Sequence, residues 1–597
     1  MTESRYWART AVSRRSLIRG GAVGAAGLAG AALIGCGGGS GESGASKAVA
    51  TGTAATGTPT AVAQKQTAKK GGTLRISGQL TGDVPGLDYD RTGGSAMGSI
   101  SNLTGVKLTQ WDERPDSPGP VENVIPDLAE SWETPDKGIT WNFKLKKGVK
   151  TSDGLEVKAS DVVWTLDRQA AIRTPTGYLQ TNLRDMYTGK KPNATAVDDY
   201  TLQIKLNNPD ADFLALMGSH WWAVEHKEVI TKKGADEGKT APGYGDIKGV
   251  DQIRGGGPYY PTEYVPASGF KLKRNPNFYD KDLAHLDGID HPFILDPAAA
   301  AAALQAGQLD AFGPLTQFST QQGLELQKSD QLQVDWQPCM VWNPWIFDMT
   351  QAPFNDVRVR SALARAVDRE AWVKNLYGGR GRNGTMVLPW LTYWSLDPAK
   401  MGADADPSFK YDPAESKKLL QAAGLEKFSF NLQTSNIGAY TVTYPFADLM
   451  KSMLANVGIT QETKIVDYAA HLRNTDTAKK GIYQSFIVRP DIQSYAFAQV
   501  GGGGALVGSS MDSYGALKKN DKEYVAFQEV MEKQRLVLDR EARREMIYDM
   551  QKRWAKNVWN FYWPAPDSPI VSNKKVHNFR PPPGWNWNIM KYVWKDA

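Results

Sequence analysis

The chain has 597 residues, a length that calls for two or three sub-domains rather than one small core. Its 41% hydrophobic and 22% charged residues are ordinary for a soluble protein, and the formal charge of +6 falls to about +2 once residues 1–35, with five arginines and one glutamate, are set aside. A near-neutral body gives no electrostatic reason to expect nucleic acid as a partner, and two cysteines, Cys36 and Cys339, leave no room for a disulfide framework.

The first element is a leader. Ser13-Arg14-Arg15-Ser16-Leu17-Ile18-Arg19 resembles the twin-arginine export motif, with Arg14 and Arg15 as its pair. Gly20 to Gly35 holds only Gly, Ala, Val, Leu and Ile. Such a stretch is short and weakly apolar for a bilayer span, which needs about 20 strongly apolar residues, and fits a signal-peptide apolar region better. It ends in Leu33-Ile34-Gly35-Cys36, which resembles a bacterial lipobox. There a thiol carries the lipid and small residues precede it, so Cys36 is the expected lipidation site and mature N-terminus. Residues 36–71 read as a flexible tether, rich in Gly, Ser, Thr and Ala, with a reach of roughly 30 Å by random-coil scaling. Cys339 has no flanking His or Cys and reads as a small buried hydrophobe.

The body begins at Thr73, where Leu74 and Ile76 alternate as in a strand. Thr140 to Leu145 puts Trp141, Phe143 and Leu145 on one face, and Lys147-Gly148 turns the chain. A helix begins near Asp161, with Val162, Val163, Leu166 and Ala170 inward. Leu202, Ile204 and Leu206 alternate again, then Phe270 and Leu272. A helix is expected from about Val357 to Tyr377, capped by Asp356. Another starts at Asp412-Pro413-Ala414-Glu415, with Asp412 as N-cap and Pro413 in the first turn, and stops at Gly424. The last, about Glu523 to Val558, is charge-rich and expected to be interrupted. Mixed strands and helices without an internal repeat make the body an α/β protein.

Eight segments then stand in one order. Pro126-Asp127-Leu128-Ala129-Glu130-Ser131-Trp132-Glu133 leads to Trp141 to Val149, to Ser152-Asp153-Gly154 and to Asp161 to Leu166. Gly256-Gly257-Pro258-Tyr259, Leu304 to Asp310, Pro353 to Arg360 with Ala366-Val367-Asp368-Arg369, and Tyr411-Asp412-Pro413 with Leu419 to Gly424 follow. In this order they resemble the extracytoplasmic solute-binding proteins of the peptide and nickel importer family, over roughly residues 72 to 580. The resemblance implies a two-lobed periplasmic-binding-protein fold with a hinged cleft and an extra sub-domain in the N-terminal lobe. It places that lobe at 72–335, the second lobe at 336–562 and a C-terminal return at 563–597. It further implies a non-enzymatic monomer that captures a peptide-like ligand for the permease subunits of an ATP-driven importer, outside the cell membrane and touching it only through lipidated Cys36.

The same resemblance suggests site residues. Family peptide binders often place an aspartate after a Gly-x-Tyr strand to hold the ligand's amine. Asp491, after Gly481-Ile482-Tyr483, is the comparable position, with Arg489 beside it. The alternative is that Arg489 and Asp491 pair with each other or face water. Asp348 stands where the family commonly shows asparagine. Aromatic groups supply stacking area: Trp221 and Trp222; Trp342 and Trp345; Tyr393 and Trp394 beside Trp390. Core and inter-lobe packing is the competing reading for each. His220 and His226 flank the first pair. Only Asp287 to His291 comes near metal-ligand spacing, so neither a metal nor a cofactor is expected. Gly501 to Gly504 lacks the Lys-Ser or Lys-Thr of a phosphate loop and reads as a surface loop. An exported hydrolase would need a nucleophile motif that the sequence does not supply. An oligosaccharide ligand and a sensor-coupled binding protein stay as alternatives.

Overall fold

The computed structural model describes residues 67–78, 87–88, 95–115, 117, 124–172, 184–189, 191–219, 222–234, 247, 249–294, 296–313, 318–338, 341–342, 344–347, 352–387, 389, 391–435, 444–466, 482–484, 487–488, 521–581 and 587–596. Three sheets organise them, each with its own apolar core.

The large sheet runs Tyr259–Val265, Gly269–Arg274, Gly288–Pro292, Thr73–Ser77, Ala311–Phe312, Ala565–Asn573, Leu332–Pro338 in spatial order, with Gly381–Arg382 added to Ala565–Asn573. Thr73–Ser77 lies parallel to both of its neighbours. Leu74 and Ile76, alternating as expected, are both fully buried. They share a core with Ile289 from the neighbouring strand, Phe270 and Leu272 from the next one over, and Trp587, Met590 and Val593 from the C-terminal segment. Gly78 ends the first strand at φ +136°, and a Cβ there would lie 2.6 Å from the backbone of Gly313, so only glycine lets the two chains meet.

The small sheet is antiparallel, in the order Ala129–Glu133, Thr140–Leu145, Thr201–Lys205, Ala194–Asp198. Its register sets Phe143 opposite Leu202 and Trp141 opposite Ile204. These side chains meet Val162 and Leu166 of helix Ala159–Ile172. Each such side chain contributes about 1.5–3 kcal/mol by leaving water. The turn at Lys147-Gly148 forms with Gly148 at φ +74°.

The far sheet runs Ile459–Val466, Phe428–Ser435, Ile482–Gln484, Pro344–Phe347, Asn560–Tyr562. Its core joins Leu432 and Ile459 to Val359, Leu363, Trp372, Leu420, Phe527, Ile547 and Trp554 from the surrounding helices. Asp412 accepts from the Glu415 amide at 2.9 Å and starts helix Pro413–Ala422, and Gly424 follows at φ +72°. The expected interruption near the end separates helix Lys522–Arg535 from helix Arg540–Asn557. The single helix expected over 357–377 is instead two, Val357–Arg365 and Arg369–Tyr377. Asp368 accounts for the break: its carboxylate accepts from the Ala371 amide at 2.8 Å and caps the second helix, which takes Asp368 itself out of helical geometry.

Candidate functional site

Two strand pairs connect the large sheet to the far sheet. In the large sheet Leu332–Pro338 runs antiparallel to Ala565–Asn573 as far as Pro338 opposite Asp567. In the far sheet the same two chain segments meet again, with Pro344 opposite Tyr562. The chain thus passes between the two sheets once between Pro338 and Pro344 and once between Tyr562 and Ala565. Prolines concentrate here, Pro338 and Pro344 on one segment and Pro564 and Pro566 on the other. Each lacks an amide donor, so the ladder cannot run unbroken from sheet to sheet. Both crossings are therefore short.

The far half braces this region. The Tyr377 hydroxyl donates to the Pro564 carbonyl at 3.1 Å, and the Asp567 amide donates to the Arg380 carbonyl at 2.9 Å. Arg380 stacks on Trp336 at 4.4 Å. Arg369 is fully buried over the Phe561 ring at 4.3 Å, and burial pulls its guanidinium down to about 9. Arg360 donates to the carbonyls of Phe354, Asn557 and Val558, at 2.6, 3.0 and 2.9 Å, and so closes the C-terminus of helix Arg540–Asn557. Pro353 to Arg369 thus acts as scaffold beneath the crossings.

The aromatic candidates divide. Trp342 lies in the first crossing, where Val341–Trp342 pairs with Ile487–Val488 and sets Trp342 opposite Ile487. Trp345 stands opposite Gln484 on one side and Phe561 on the other. The backbone thus brings both to the strands just before Arg489 and Asp491. Arg489, Asp491, Asp348 and Trp221 lie outside the described residues, as do Cys36, Arg14, Arg15, Cys339, Trp390, His220 and Gly501 to Gly504. Trp222 has no exposed surface; its indole donates to the Met217 carbonyl at 3.1 Å inside the small-sheet core. It is a packing residue and offers nothing to a ligand. His226 is buried, with Nε2 3.3 Å from the Glu156 carbonyl oxygen.

Tyr393 and Trp394 meet edge to face, with centroids 4.9 Å apart. Helix Arg540–Asn557 covers them. Arg540 sits 4.1 Å over Tyr393, and Arg543 lies 5.3 Å from Trp394. The Tyr393 hydroxyl donates to Glu541, and Gln551 donates to the Trp394 carbonyl at 2.8 Å. Trp394 is almost wholly buried, while Tyr393 keeps part of its surface.

Sequence reasoning missed a buried ionic group in the first half. Lys107, Glu113, Asp127 and Lys591 all lie inside. The Lys107 ammonium donates to Asn102, that of Lys591 to Gln110, and Tyr279 donates to Asp127 at 2.9 Å. Burial pushes the Glu113 carboxyl up to about 8 against the pull of Lys107 and Lys591, and burial draws the Lys107 ammonium down to about 8 against Asp127 and Glu113. The local pattern gave no sign of it: between Val106 and Leu108, Lys107 reads as the outward residue of an alternating segment. A narrow cavity of about 50 Å³, room for a few waters, lies nearby between Thr104, Ala223, His226 and Arg254.

Comparisons with known proteins agree with this frame. Residues 123–496 match the family described as bacterial extracellular solute-binding proteins, family 5 Middle. The dipeptide-binding protein of Escherichia coli (strain K12) is 27% identical over 389 residues, 61% of this chain and 67% of its own. Heme-binding protein A of Haemophilus influenzae is 29% identical over 321 residues, 51% of this chain and 54% of its own. The chain thus spans between about half and two thirds of the curated relatives it matches. Among solved structures, the periplasmic binding protein DppA from Helicobacter pylori in complex with peptide STSA superposes with a TM-score of 0.69 at 19% identity, over 89% of this chain and 99% of that one. The fold is therefore the mixed α/β periplasmic-binding-protein fold.

Proposed function

Since the chain belongs to the bacterial extracellular solute-binding proteins of family 5, we propose that it is an exported, lipid-anchored receptor that captures a peptide-like solute between two lobes and hands it unaltered to the permease of an ATP-driven importer. The observation that carries this reading is the pair of short crossings, between Pro338 and Pro344 and between Tyr562 and Ala565, which join two separately cored halves. Two such links permit rotation of one half against the other, and a solute touching both halves stabilises the closed arrangement. In this reading the lobes are 72–335 and 336–562, with 563–597 returning to the first and the small sheet as its extra sub-domain.

Trp342 and Trp345 supply apolar area at the first crossing, and Asp491 takes the charge of a ligand amine, with Asp348 and Arg489 as further polar contacts. Tyr393 presents the rim of the aromatic group held by helix Arg540–Asn557. Twin arginines Arg14 and Arg15 direct export. Lipidated Cys36 moors the tether 36–71 to the outer face of the membrane.

Small-angle scattering with a pool of short peptides tests this. The account expects a fall in radius of gyration with some member of the pool and full recovery of that peptide. Peptide cleavage would overturn it. A second reading, another organic solute in the same cleft, draws on the aromatic groups and on the heme named for the Haemophilus influenzae relative; compaction by such a solute and by no peptide would select it.

A further inference from the structure

The small-sheet sub-domain and the far half have separate apolar cores, yet a buried ionic seam joins them. Asp212 precedes helix Phe213–Met217 in the N-cap position, where an aspartate ordinarily accepts from its own helix. Here it makes no such cap. Its two oxygens accept from Arg543 of helix Arg540–Asn557, at 2.9 and 2.8 Å, and both side chains are almost wholly buried. Arg543 is held in turn by Gln534, its Nε donating at 2.8 Å, and its far face lies against Trp394. Next to it Arg535 donates to Asp210 at 2.8 Å and stands 3.5 Å from Asp185. The Ala211 amide, between the two aspartates, donates to the Arg535 carbonyl at 2.8 Å. Leu538, in the link between the two far-half helices, reaches the space above Gly138, where a Cβ would lie 3.0 Å from its Cδ1.

A helix that forgoes its own cap to supply a carboxylate across a boundary ties its stability to that boundary. The bidentate fork fixes one orientation of the two bodies. Separation would return four charges to water and break the one backbone bond beside them. Apart from the Ala211–Arg535 backbone bond, the seam is made by side chains.

We propose that Asp210 and Asp212 with Arg535 and Arg543 form a latch between the small-sheet sub-domain and the far half, which holds the two closed on that side before any solute arrives. This rests on the two-lobe reading above. The latch makes closure partly pre-organised, so the solute has less rearrangement to stabilise.

The test uses the full chain without added solute. Asp212→Asn keeps the size of the side chain and removes its charge. We expect amide exchange at Ala211 to speed up at least tenfold and the radius of gyration to rise, with Arg535→Gln giving the same direction. Asp549→Asn, which removes an exposed pair with Arg553 on the same helix, should change neither. Exchange within twofold of the parent and an unchanged scattering curve would overturn the latch. Should Asp212→Asn fail to fold, native-state exchange of the parent in low urea decides: the latch requires Ala211 to exchange through an opening that exposes extensive surface, and purely local fraying contradicts it. An open Asp212→Asn protein from a chain that retains no solute would keep the latch and remove the binding reading. A solute-binding chain indifferent to Asp212→Asn would do the reverse.

Discussion

The Tyr377 hydroxyl donates to the Pro564 carbonyl at 3.1 Å, fastening a far-half helix to one of the two segments that cross between the halves. Gly381, in the strand beside it, has no room for a side chain: a Cβ would come within 2.7 Å of the Tyr377 ring and 3.0 Å of the Ala565 carbonyl oxygen. The second crossing is thus held by the Tyr377 bond and, at its end, by the strand pairing and close approach of Gly381. Tyr377→Phe should lower stability by about 0.5–1.5 kcal/mol, the usual net worth of such a bond. Gly381→Ala should cost about 1–3 kcal/mol through overpacking. Urea unfolding of both variants measures this, and a Gly381→Ala protein as stable as the parent would show that the region yields easily.

Trp222 and Asp491 separate packing from binding. Trp222→Ala should destabilise by about 3–5 kcal/mol, as for other fully buried aromatics, and leave the affinity of the remaining folded protein for its solute intact. Asp491→Ala should do the opposite, weakening binding of an amine-bearing peptide by roughly 2–5 kcal/mol with little effect on unfolding. Calorimetry and thermal melts on the two variants give four numbers, and unchanged affinity in Asp491→Ala removes its role as amine partner.

Glu113 makes a statement about pH. Burial raises its carboxyl from 4.5 to about 8, with Lys107, Lys591 and Asp112 the charged groups around it. The folded protein keeps this proton in a range where the unfolded chain has lost it, so the unfolded state binds fewer protons and stability falls as pH rises between those values. The slope from one such group is about 1.4 kcal/mol per pH unit. Glu113→Gln should flatten that part of the stability curve. Parallel curves for parent and variant between pH 5 and 7.5, read by denaturant midpoints at roughly half-unit steps, would refute the assignment.

Arg360 binds three carbonyls, those of Asn557 and Val558 at the end of helix Arg540–Asn557 and that of Phe354 ahead of its own helix. Arg360→Leu should keep the apolar volume and leave those carbonyls buried and unpaired, at about 1–3 kcal/mol each for those that water cannot reach. Its unfolding midpoint should fall well below that of Arg358→Leu, since Arg358 is exposed and pairs with Asp356 at the surface.

What could be read from the residues was local. Asp412, Pro413 and Gly424 announce a helix within a dozen positions, and the alternation of Trp141, Phe143 and Leu145 announces a half-buried strand. The break at Asp368 was written in the same local code, but the apolar spacing of Val359, Leu363, Val367 and Leu376 runs through it and outweighed one capping residue. Partners far apart in the chain were not legible. Arg543 and Asp212 are 331 positions apart, and Lys591 and Gln110 are 481 apart. An arginine in a charge-rich helix and a lysine near the C-terminus look solvated until the fold supplies their partners. Trp222 shows the converse: an aromatic pair suggested a ligand surface, and its burial makes it core.

Native mass spectrometry of the full chain, mixed with a pool of tetrapeptides and then unfolded to release what it holds, is the most direct measurement of all. The account predicts one chain carrying one peptide, drawn selectively from the pool and released with its mass unaltered. A chain that retains nothing while the pool's peptides are cut into shorter pieces would contradict it.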